Sequence, residues 1–514
     1  MLSSFGAQHV DMASTAEDAL AKCKFDFYDI ILCDFNLGHG KNGQQILEAL
    51  RAQKRIKNIH LFVMITAETA KDVVLGAREY QPDAYIAKPI TRTVLEQRLG
   101  HLIKQQKFLK PINKEIDLEN YSKAVTLCHR LLDDNTKYQS WCFQTLGKLY
   151  LNLGDTANAI KIYTDVLASR EIPWALLGLG QALQKSQKYK QAIEKYKATI
   201  KQNPNMVEAY DGLSACQLEL GRYKKAQETL QVAAELSPRI VQRQEKLGAV
   251  SEKNQDMQSA ADAFRQAVRF AEHSVYEKPE HYLSLGKCLS EWSEGDVTSD
   301  GKERAKEAID VLETLTNKFS NDEASCLRAT LIETRVHQGQ DDKDTALDKL
   351  HQAECVIEEE NLSALVGLEF AKTLYTMTQP ERAEKLLIDL AKKYEDQKDI
   401  IEKIEGLLDE PESLEVRKQA KEHNKSGIQL FEKGSLVEAI SAFESALKLT
   451  PKHAALNLNI IQVLTKQFKE SKKAECLDSA REFLAQISHI PEQHNQYKRM
   501  KHLSKIIDKL SAQN

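Results

Sequence analysis

Three polar residues stand where apolar runs end in the first part of the sequence. Asp34 follows the run "IILC", Thr66 follows "FVMI", and Lys88 follows "AYIA". A carboxylate in such a place can act as a nucleophile that takes up a phosphoryl group. That chemistry needs a hydroxyl and a cation to bond the phosphoryl oxygens, and a divalent metal to neutralise their charge. Thr66 and Lys88 would supply the hydroxyl and the cation.

Strand and helix patterns alternate through residues 1–107 and must position these side chains. The runs "FYDIILCDF", "HLFVMITA" and "DAYIAK" are short and rich in β-branched residues, which predicts strands. The segments "NGQQILEALRAQ", "TAKDVVLGAREY" and "TRTVLEQRLGHLIKQQK" carry apolar residues at helical spacing. This order predicts a parallel sheet covered by helices on both faces. Functional groups in such sheets collect beyond the carboxyl ends of the strands, where Asp34, Thr66 and Lys88 are expected.

A second pattern begins after residue 107 and repeats about every 34 residues. Alanines recur at steps of 33 to 35 residues, at Ala124, Ala159, Ala192, Ala226 and Ala260. Larger residues follow four positions later, and small ones precede the last four by twelve, at Gly147, Gly180, Ser214 and Gly248. The set returns as Gly427, Ala439 and Phe443. The pattern resembles the tetratricopeptide repeat, which implies helical hairpins that pack closely and a concave face that takes peptides or helices from partners.

The amino-acid composition bears on which partners the chain is expected to bind and in which cellular compartment it is expected to lie. Lys+Arg total 71 against 75 Asp+Glu, and this balance gives no reason to expect nucleic acid or an anionic membrane. The nine cysteines are scattered and form no C-x-x-C pair, which favours a reducing cytoplasm over a zinc site. No apolar run approaches eighteen residues. Because no hydrolase, metalloprotease or P-loop motif occurs, we do not expect an enzyme.

The stretches "DIILCDFN", "MITAE" and "AYIAKP" together resemble the receiver domain of bacterial two-component response regulators. The resemblance implies an α/β flavodoxin-like fold in which Asp34 is the phosphoacceptor, Thr66 the switch hydroxyl and Lys88 the paired lysine. It also implies that Tyr85 is the aromatic residue that swings inward on activation. The main-chain carbonyl of Asn36, together with Asp34, would be a ligand of Mg²⁺.

Receiver domains also have a first strand that ends in two acidic residues, which hold the metal. The sequence begins at Met1 inside what resembles the family's first helix, so the chain as written is expected to lack that strand and to bind Mg²⁺ poorly. The strand expected near "HVDMAS" would then have no neighbour, and Asp11 would lie within it rather than in the metal site. Two interpretations stay open: a start placed too late in a longer protein, or a degenerate receiver that docks partners without being phosphorylated.

The sequence therefore predicts five segments. They are a receiver domain without its first strand at 1–107, repeats at 108–285, divergent helical repeats with insertions at 286–420, repeats at 421–492 and a capping helix at 493–514. In the divergent segment, Ala308, Ala346 and Ala383 mark looser repeats.

By resemblance, the function is that of a response regulator. A sensor histidine kinase or phosphotransfer protein would phosphorylate Asp34, and the face formed by residues 69–80, 83–87 and 91–106 would change its contacts. The solenoid would then give output by binding a protein whose identity the sequence does not reveal. Receiver faces often pair, so the resemblance allows a homodimer. The alternative is a constitutive scaffold with a receiver that is not phosphorylated.

One binding mode of such repeats, the carboxylate clamp for chaperone tails, is not expected. Asn459 occupies one clamp position, but Ile428 stands at the partner asparagine position and Asn424 at a lysine position.

Overall fold

The computed structural model describes residues 6–38, 40–67, 80–134, 137–357, 362–409, 414–451, 453–487 and 496–511. The chain divides into two compact units, residues 1–281 and 282–514. The first unit carries a small parallel sheet followed by helical hairpins, and the described part of the second unit is built from helices. The prediction of a receiver-like α/β domain followed by an all-α solenoid is confirmed.

Among the described residues, three strands and three helices form the α/β part. In chain order they are α1 (Ala16–Phe25), β1 (Ile30–Asp34), α2 (Gly43–Ala52), β2 (Leu61–Thr66), β3 (Ala84–Ala87) and α3 (Arg92–Asp117). The described strands are parallel in the order β1-β2-β3, with Asp34 paired to Ile65 and Thr66 paired to Ala87. The helix predicted at 69–80 lies outside the described residues, apart from Tyr80.

Alternate residues of the strands face two separate cores. Cys33, Phe62 and Met64 pack against α1 and α2. Val63 and Ile86 pack on the opposite side against Leu95 and Leu99 of α3, as the two-residue period of a strand requires. The predicted covering of the sheet on both faces is therefore present.

The segment near "HVDMAS" corrects the sequence analysis, because it forms no strand. Backbone groups of a strand need a neighbour, and β1 pairs with β2 among the described strands. The segment is held by side chains instead. The Tyr28 hydroxyl donates to Asp11 Oδ2 at 2.7 Å, and Lys22 Nζ donates to the Met12 carbonyl at 2.7 Å.

Helix α3 is 26 residues long and runs without a break from the sheet to the first repeat hairpin. The predicted domain boundary at residue 107 therefore falls inside a helix. The apolar residues of its first half face the sheet, whereas Leu109 and Ile112 of its second half are buried. Ile112 packs against Ala124 and Cys128 of the next helix.

Nine further helices lie in the part of residues 118–271 that the structure describes, and they form the hairpins of the first unit. They are α4 (Tyr121–Asp134), α5 (Gln139–Asn152), α6 (Thr156–Ser169), α7 (Pro173–Lys185), α8 (Tyr189–Gln202), α9 (Val207–Glu219), α10 (Tyr223–Leu236), α11 (Val241–Lys253) and α12 (Met257–Ala271). All five of the recurring alanines are fully buried on the second helix of their hairpin.

Aromatic rings fill the spaces between successive hairpins. The ring of Tyr163 lies against Gly147 of α5 and Gly178 of α7, where an added Cβ would be 2.2 and 2.3 Å from it. Tyr196 lies in the same way against Gly180 and Gly212. Only a residue without a side chain leaves room for the ring at these positions.

The second unit continues the pattern with looser spacing. Its helices are α13 (Pro279–Ser293, which begins at the boundary), α14 (Ser299–Lys318), α15 (Glu323–Gly339), α16 (Lys343–Val356), α17 (Ala364–Thr376), α18 (Pro380–Lys393), α19 (Lys398–Asp409), α20 (Leu414–Glu432), α21 (Leu436–Leu449), α22 (Ala454–Ser471), α23 (Glu475–Gln486) and α24 (Tyr497–Ser511). Ala308, Ala346 and Ala383 are fully buried, and Phe443 packs on Gly427.

The last helix, α24, closes the core of the terminal repeats. Its residues Leu503 and Ile507 are buried in that core, which is the arrangement expected of a capping helix. Among the described residues, no helix is both long and apolar enough to cross a membrane.

Candidate functional site

The structure brings Asp34, Thr66 and Lys88 to one edge of the sheet. Asp34 is the last residue of β1, Thr66 is the last residue of β2, and Lys88 follows β3 directly. The Lys88 amide donates to the Thr66 carbonyl at 2.7 Å, which extends the pairing of the two strands to their ends. Parallel strands thus deliver a carboxylate, a hydroxyl-bearing residue and a cation from three separate parts of the chain.

Asp34 and Lys88 form an ion pair through Oδ2 and Nζ. The other carboxylate oxygen, Oδ1, accepts from the main-chain amide of Asn36 at 3.3 Å. Roughly a third of the Asp34 side chain and two fifths of the Lys88 side chain remain exposed. An ion pair in contact with water contributes about 1 kcal/mol or less, so Lys88 can exchange this partner for another anion at low cost.

Thr66 and Tyr85 lie deeper than the ion pair. Thr66 is buried at the end of β2. Tyr85 packs against the core that contains Phe35 and Met64, and its hydroxyl oxygen is shielded from solvent. The residue with the predicted switch role therefore has its ring inward in this structure.

The residues that the structure describes do not by themselves fit Mg²⁺. They contain no group of three or more His, Cys, Asp or Glu side chains able to hold a metal. Asp34 contributes one carboxylate to the edge of the sheet. Asp11 belongs to no such group among the described residues, and its carboxylate accepts a hydrogen bond from the Tyr28 hydroxyl. Receiver domains in general bind Mg²⁺, as the resemblance implies, but the set of ligands here is incomplete.

Gly43 fixes the first turn of α2 against the site. A Cβ on Gly43 would lie 2.2 Å from the Asp34 carbonyl oxygen and 3.0 Å from Cys33 Sγ. The Gly43 amide donates to the Phe35 carbonyl at 2.9 Å. Burial, and next the Asp34 carboxylate, raise the pKa of Cys33 to about 12, so its thiol stays protonated and packs as an apolar group.

Helix α2 begins with a capping box. Asn42 accepts from the Gln45 amide at 3.0 Å, and Gln45 Oε1 accepts from the Asn42 amide at 2.9 Å. The reciprocal bonds satisfy two donors that a helix start leaves open. The capping box does not use Gln45 Nε2, which instead donates to a distant part of the chain.

The polar side of α2 contacts the turn after α12, and we call this interface the α2 contact. Gln45 Nε2 donates to the Glu272 carbonyl at 2.8 Å, and Ser274 Oγ donates to Glu48 Oε2 at 2.6 Å. Lys41 Nζ donates to the His273 carbonyl. Nearby, the Arg239 guanidinium lies 5.9 Å from the centre of the Phe35 ring, in the range of a cation–π interaction.

Glu48 is the most deeply placed charged group of the α2 contact. Its burial raises the pKa of the Glu48 carboxyl, while hydrogen bonds from Ser274 and Gln44 oppose that rise. Sequence reasoning missed this residue because a polar side chain gives no hydrophobic period. It also expected the output face elsewhere, at 69–80, 83–87 and 91–106.

In the terminal repeats, both polar groups of the Asn459 side chain form hydrogen bonds within the chain. Asn459 Nδ2 donates to Asn424 Oδ1 at 3.1 Å, and Arg499 Nη2 of α24 donates to Asn459 Oδ1 at 2.9 Å. Ile428 is partly exposed.

Comparisons with known proteins agree with both halves of the architecture. Residues 1–100 match the response regulator receiver domain, and residues 145–206, 183–240 and 217–275 match tetratricopeptide repeats. The chemotaxis protein CheY of Pseudomonas aeruginosa is 30% identical over 95 residues, which cover 18% of this chain and 73% of that protein. The chemotaxis protein CheY-3 of Vibrio cholerae is 31% identical over 98 residues, or 19% and 72%.

Among solved structures, a tetratricopeptide repeat protein from Parabacteroides merdae shares 13% identity with a TM-score of 0.34, over 51% of this chain and 96% of that one. The sheet edge and the sequence matches lead to one assignment. The chain belongs to the response regulator receiver family through its first 100 residues, which are joined to tetratricopeptide repeats.

Proposed function

We propose that this chain is a two-component response regulator that is phosphorylated on Asp34 and gives its output by protein contact through the repeats. The observation that supports the proposal most is the exposed ion pair between Asp34 and Lys88 at the carboxyl edge of the sheet. The phosphodonor would be the phosphohistidine of a sensor histidine kinase or phosphotransfer protein in the cytoplasm. The repeats would act as a binding surface and not as an enzyme.

The transfer step follows from the side chains at the edge. A carboxylate oxygen of Asp34 attacks phosphorus and forms an acyl phosphate, while the bond from phosphorus to the donor's imidazole nitrogen breaks and the electron pair stays on that nitrogen. Lys88 leaves the carboxylate and pairs with a phosphoryl oxygen, and the Thr66 hydroxyl donates to another. A bound divalent metal would supply further charge neutralisation for the phosphoryl oxygens.

The direct test is intact mass after incubation with acetyl phosphate and magnesium. We would compare the 514-residue chain with a form extended by the in-frame residues encoded upstream of Met1, and include Asp34→Asn as the control in each. Uptake of one phosphoryl group that depends on Asp34 is the expected result in at least one form. Lys88→Ala should reduce the yield without changing the site.

Absence of uptake in both forms would contradict the proposal. The receiver part would then serve as a fixed docking module of a constitutive scaffold, with the repeats carrying the whole function.

A further inference from the structure

The α2 contact joins the phosphoacceptor edge to the repeats within one compact unit. On the receiver side it contains Phe35, Lys41, Gln45 and Glu48. On the repeat side it contains Arg239 and the turn 272–274. We propose that this contact, rather than the face at 83–106, carries the state of Asp34 to the repeats, and that phosphorylation loosens it. The inference rests on the proposed phosphorylation of Asp34.

The first step of the coupling runs from Asp34 to the start of α2. The backbone of Asp34 and the backbone of Gly43 are in such close contact that an added Cβ would overlap the Asp34 carbonyl. The Asn36 amide is bonded to the Asp34 carboxylate, and the Gly43 amide is bonded to the Phe35 carbonyl. A phosphoryl group on Asp34 adds volume and charge beside this loop. Because the loop has no slack at Gly43, the first turn of α2 must move.

The second step runs from α2 to the repeats. Gln45 lies in the first turn of α2 and Glu48 in the next, and both are largely buried. Their bonds to the Glu272 carbonyl and to Ser274 are directional and short, at 2.8 and 2.6 Å. A buried hydrogen bond is costly to break, because the donor or acceptor that it leaves unpaired keeps the full penalty of having been taken out of water. A shift of the first turn breaks them instead of stretching them.

The third step concerns what these bonds hold on the repeat side. The carbonyls of Glu272 and His273 lie just past the carboxyl end of α12, where a helix leaves acceptors unsatisfied and carries partial negative charge. Gln45 and Lys41 donate to them, so the receiver part caps this helix. His273 has a φ of 65°, in the left-handed region, which marks a sharp turn that depends on its bonds.

The turn continues into Lys278 and His281, which both contact Glu245 on α11, and we call this contact the tether. Lys278 Nζ lies 2.7 Å and His281 Nε2 lies 2.9 Å from the same atom, Glu245 Oε1. Release of the turn would therefore alter the packing of α11 against α12, the two helices that form this repeat. Output through this route needs no change in α3, which is continuous from the sheet into the first hairpin.

A matched pair of substitutions tests the inference. Gln45→Glu keeps the oxygen that accepts from the Asn42 amide, so the capping box survives, but it replaces the Nε2 donor with an oxygen facing the Glu272 carbonyl. Gln97→Glu makes the same change of charge on the exposed side of α3, within the face at 83–106. Hydrogen–deuterium exchange of residues 239–247 and 271–281 is measured with and without acetyl phosphate. Intact mass is measured on the same samples, using whichever form takes up phosphate.

In the wild-type chain, phosphate uptake should speed exchange at 271–281. Gln45→Glu should show roughly fivefold to tenfold faster exchange there before any phosphate is added, with little further change, whereas Gln97→Glu should behave as wild type. Phosphate uptake with unchanged exchange at 239–281 would overturn the inference and leave the proposed function intact. No uptake in any form would overturn the proposed function and the inference together.

Discussion

The carbonyl oxygen of Asp34 lies against the α-carbon of Gly43 so closely that a methyl group there would be 2.2 Å away. The contact fixes the start of α2 to the end of β1. The position of a whole helix thus depends on the absence of one side chain.

Gly43→Ala should destabilise the first unit. The added methyl group would meet main-chain atoms, which cannot rotate aside, so α2 must shift and the cost should be about 1–3 kcal/mol. Urea unfolding followed by the fluorescence of Trp141 and Trp174, both in the first unit, measures the change. The fluorescence of Trp292 in the second unit can be removed with Trp292→Phe.

Gly100→Ala is the matched control for Gly43→Ala. A Cβ on Gly100 would have no atom within 4 Å, and the residue lies inside α3. Since alanine is the better helix former, this variant should gain about 0.5–1 kcal/mol. Equal effects of the two substitutions would show that the contact between Gly43 and Asp34 does not constrain the helix.

The tether at Glu245 should make the first unit sensitive to acid. The His281 ring, whose Nε2 lies 2.9 Å from Glu245 Oε1, lowers the pKa of Glu245 to about 2 from an ordinary value of 4.5, opposed by burial and assisted by Lys278. A carboxyl group whose pKa is lower in the folded state stabilises the fold above pH 4.5 and loses that contribution as the pH falls toward 2. The difference corresponds to about 3 kcal/mol.

Glu245→Gln measures this contribution. The variant should be less stable than wild type at pH 7, and the gap should narrow steadily between pH 5 and pH 2. Chemical denaturation at a series of pH values gives both curves. A gap that does not change with pH would mean that the ionisation of Glu245 plays no part in holding the turn.

In the second unit, Arg335→Met should be strongly destabilising. Arg335 Nη2 and Glu369 Oε2 are 2.6 Å apart, and both side chains are about nine-tenths buried. Burial tends to raise the pKa of Glu369, but Arg335 and other nearby cations hold it at about 2, so the carboxylate stays charged. Removal of Arg335 leaves this charge with weaker compensation, which should cost about 3 kcal/mol.

Arg481→Met is the control for this substitution. Arg481 pairs with Asp478 at 3.1 Å, but more than half of each side chain is exposed, so the loss should stay below about 1 kcal/mol. Fluorescence of Trp292, after Trp141 and Trp174 are changed to Phe, reports unfolding of the second unit alone. Similar losses for the two variants would contradict the role given to the buried pair.

Residue types that recur or that end apolar runs made much of the fold predictable. Asp34, Thr66 and Lys88 each follow an apolar run, and this change from apolar to polar residues locates three strand ends without any knowledge of contacts. The alanines and glycines of the repeats recur because two helix backbones can approach only at small residues. Gly178 and Gly212 were missed, although their spacing of 34 residues is the repeat period and could have revealed them.

The α2 contact could not be predicted in this way. Its repeat side is mostly main-chain carbonyl, which every residue possesses, and its receiver side consists of polar residues with no periodic pattern. The bond from Gln45 to Glu272 spans 227 positions of the chain. The segment near "HVDMAS" was mispredicted for a related reason, since a strand depends on a neighbour that its own residues do not encode.

The unbroken helix α3 has a consequence for how the α2 contact can be altered. Its 26 residues form a rod of about 39 Å, and each residue adds a rotation of about 100°. Inserting one residue near its middle would turn the hairpins about the rod by that angle and carry the turn at 272–274 away from α2. Inserting seven residues, close to two full turns, would restore the angle but lengthen the rod by about 10 Å. The length and the helical phase of α3 therefore decide whether the turn at 272–274 can reach α2.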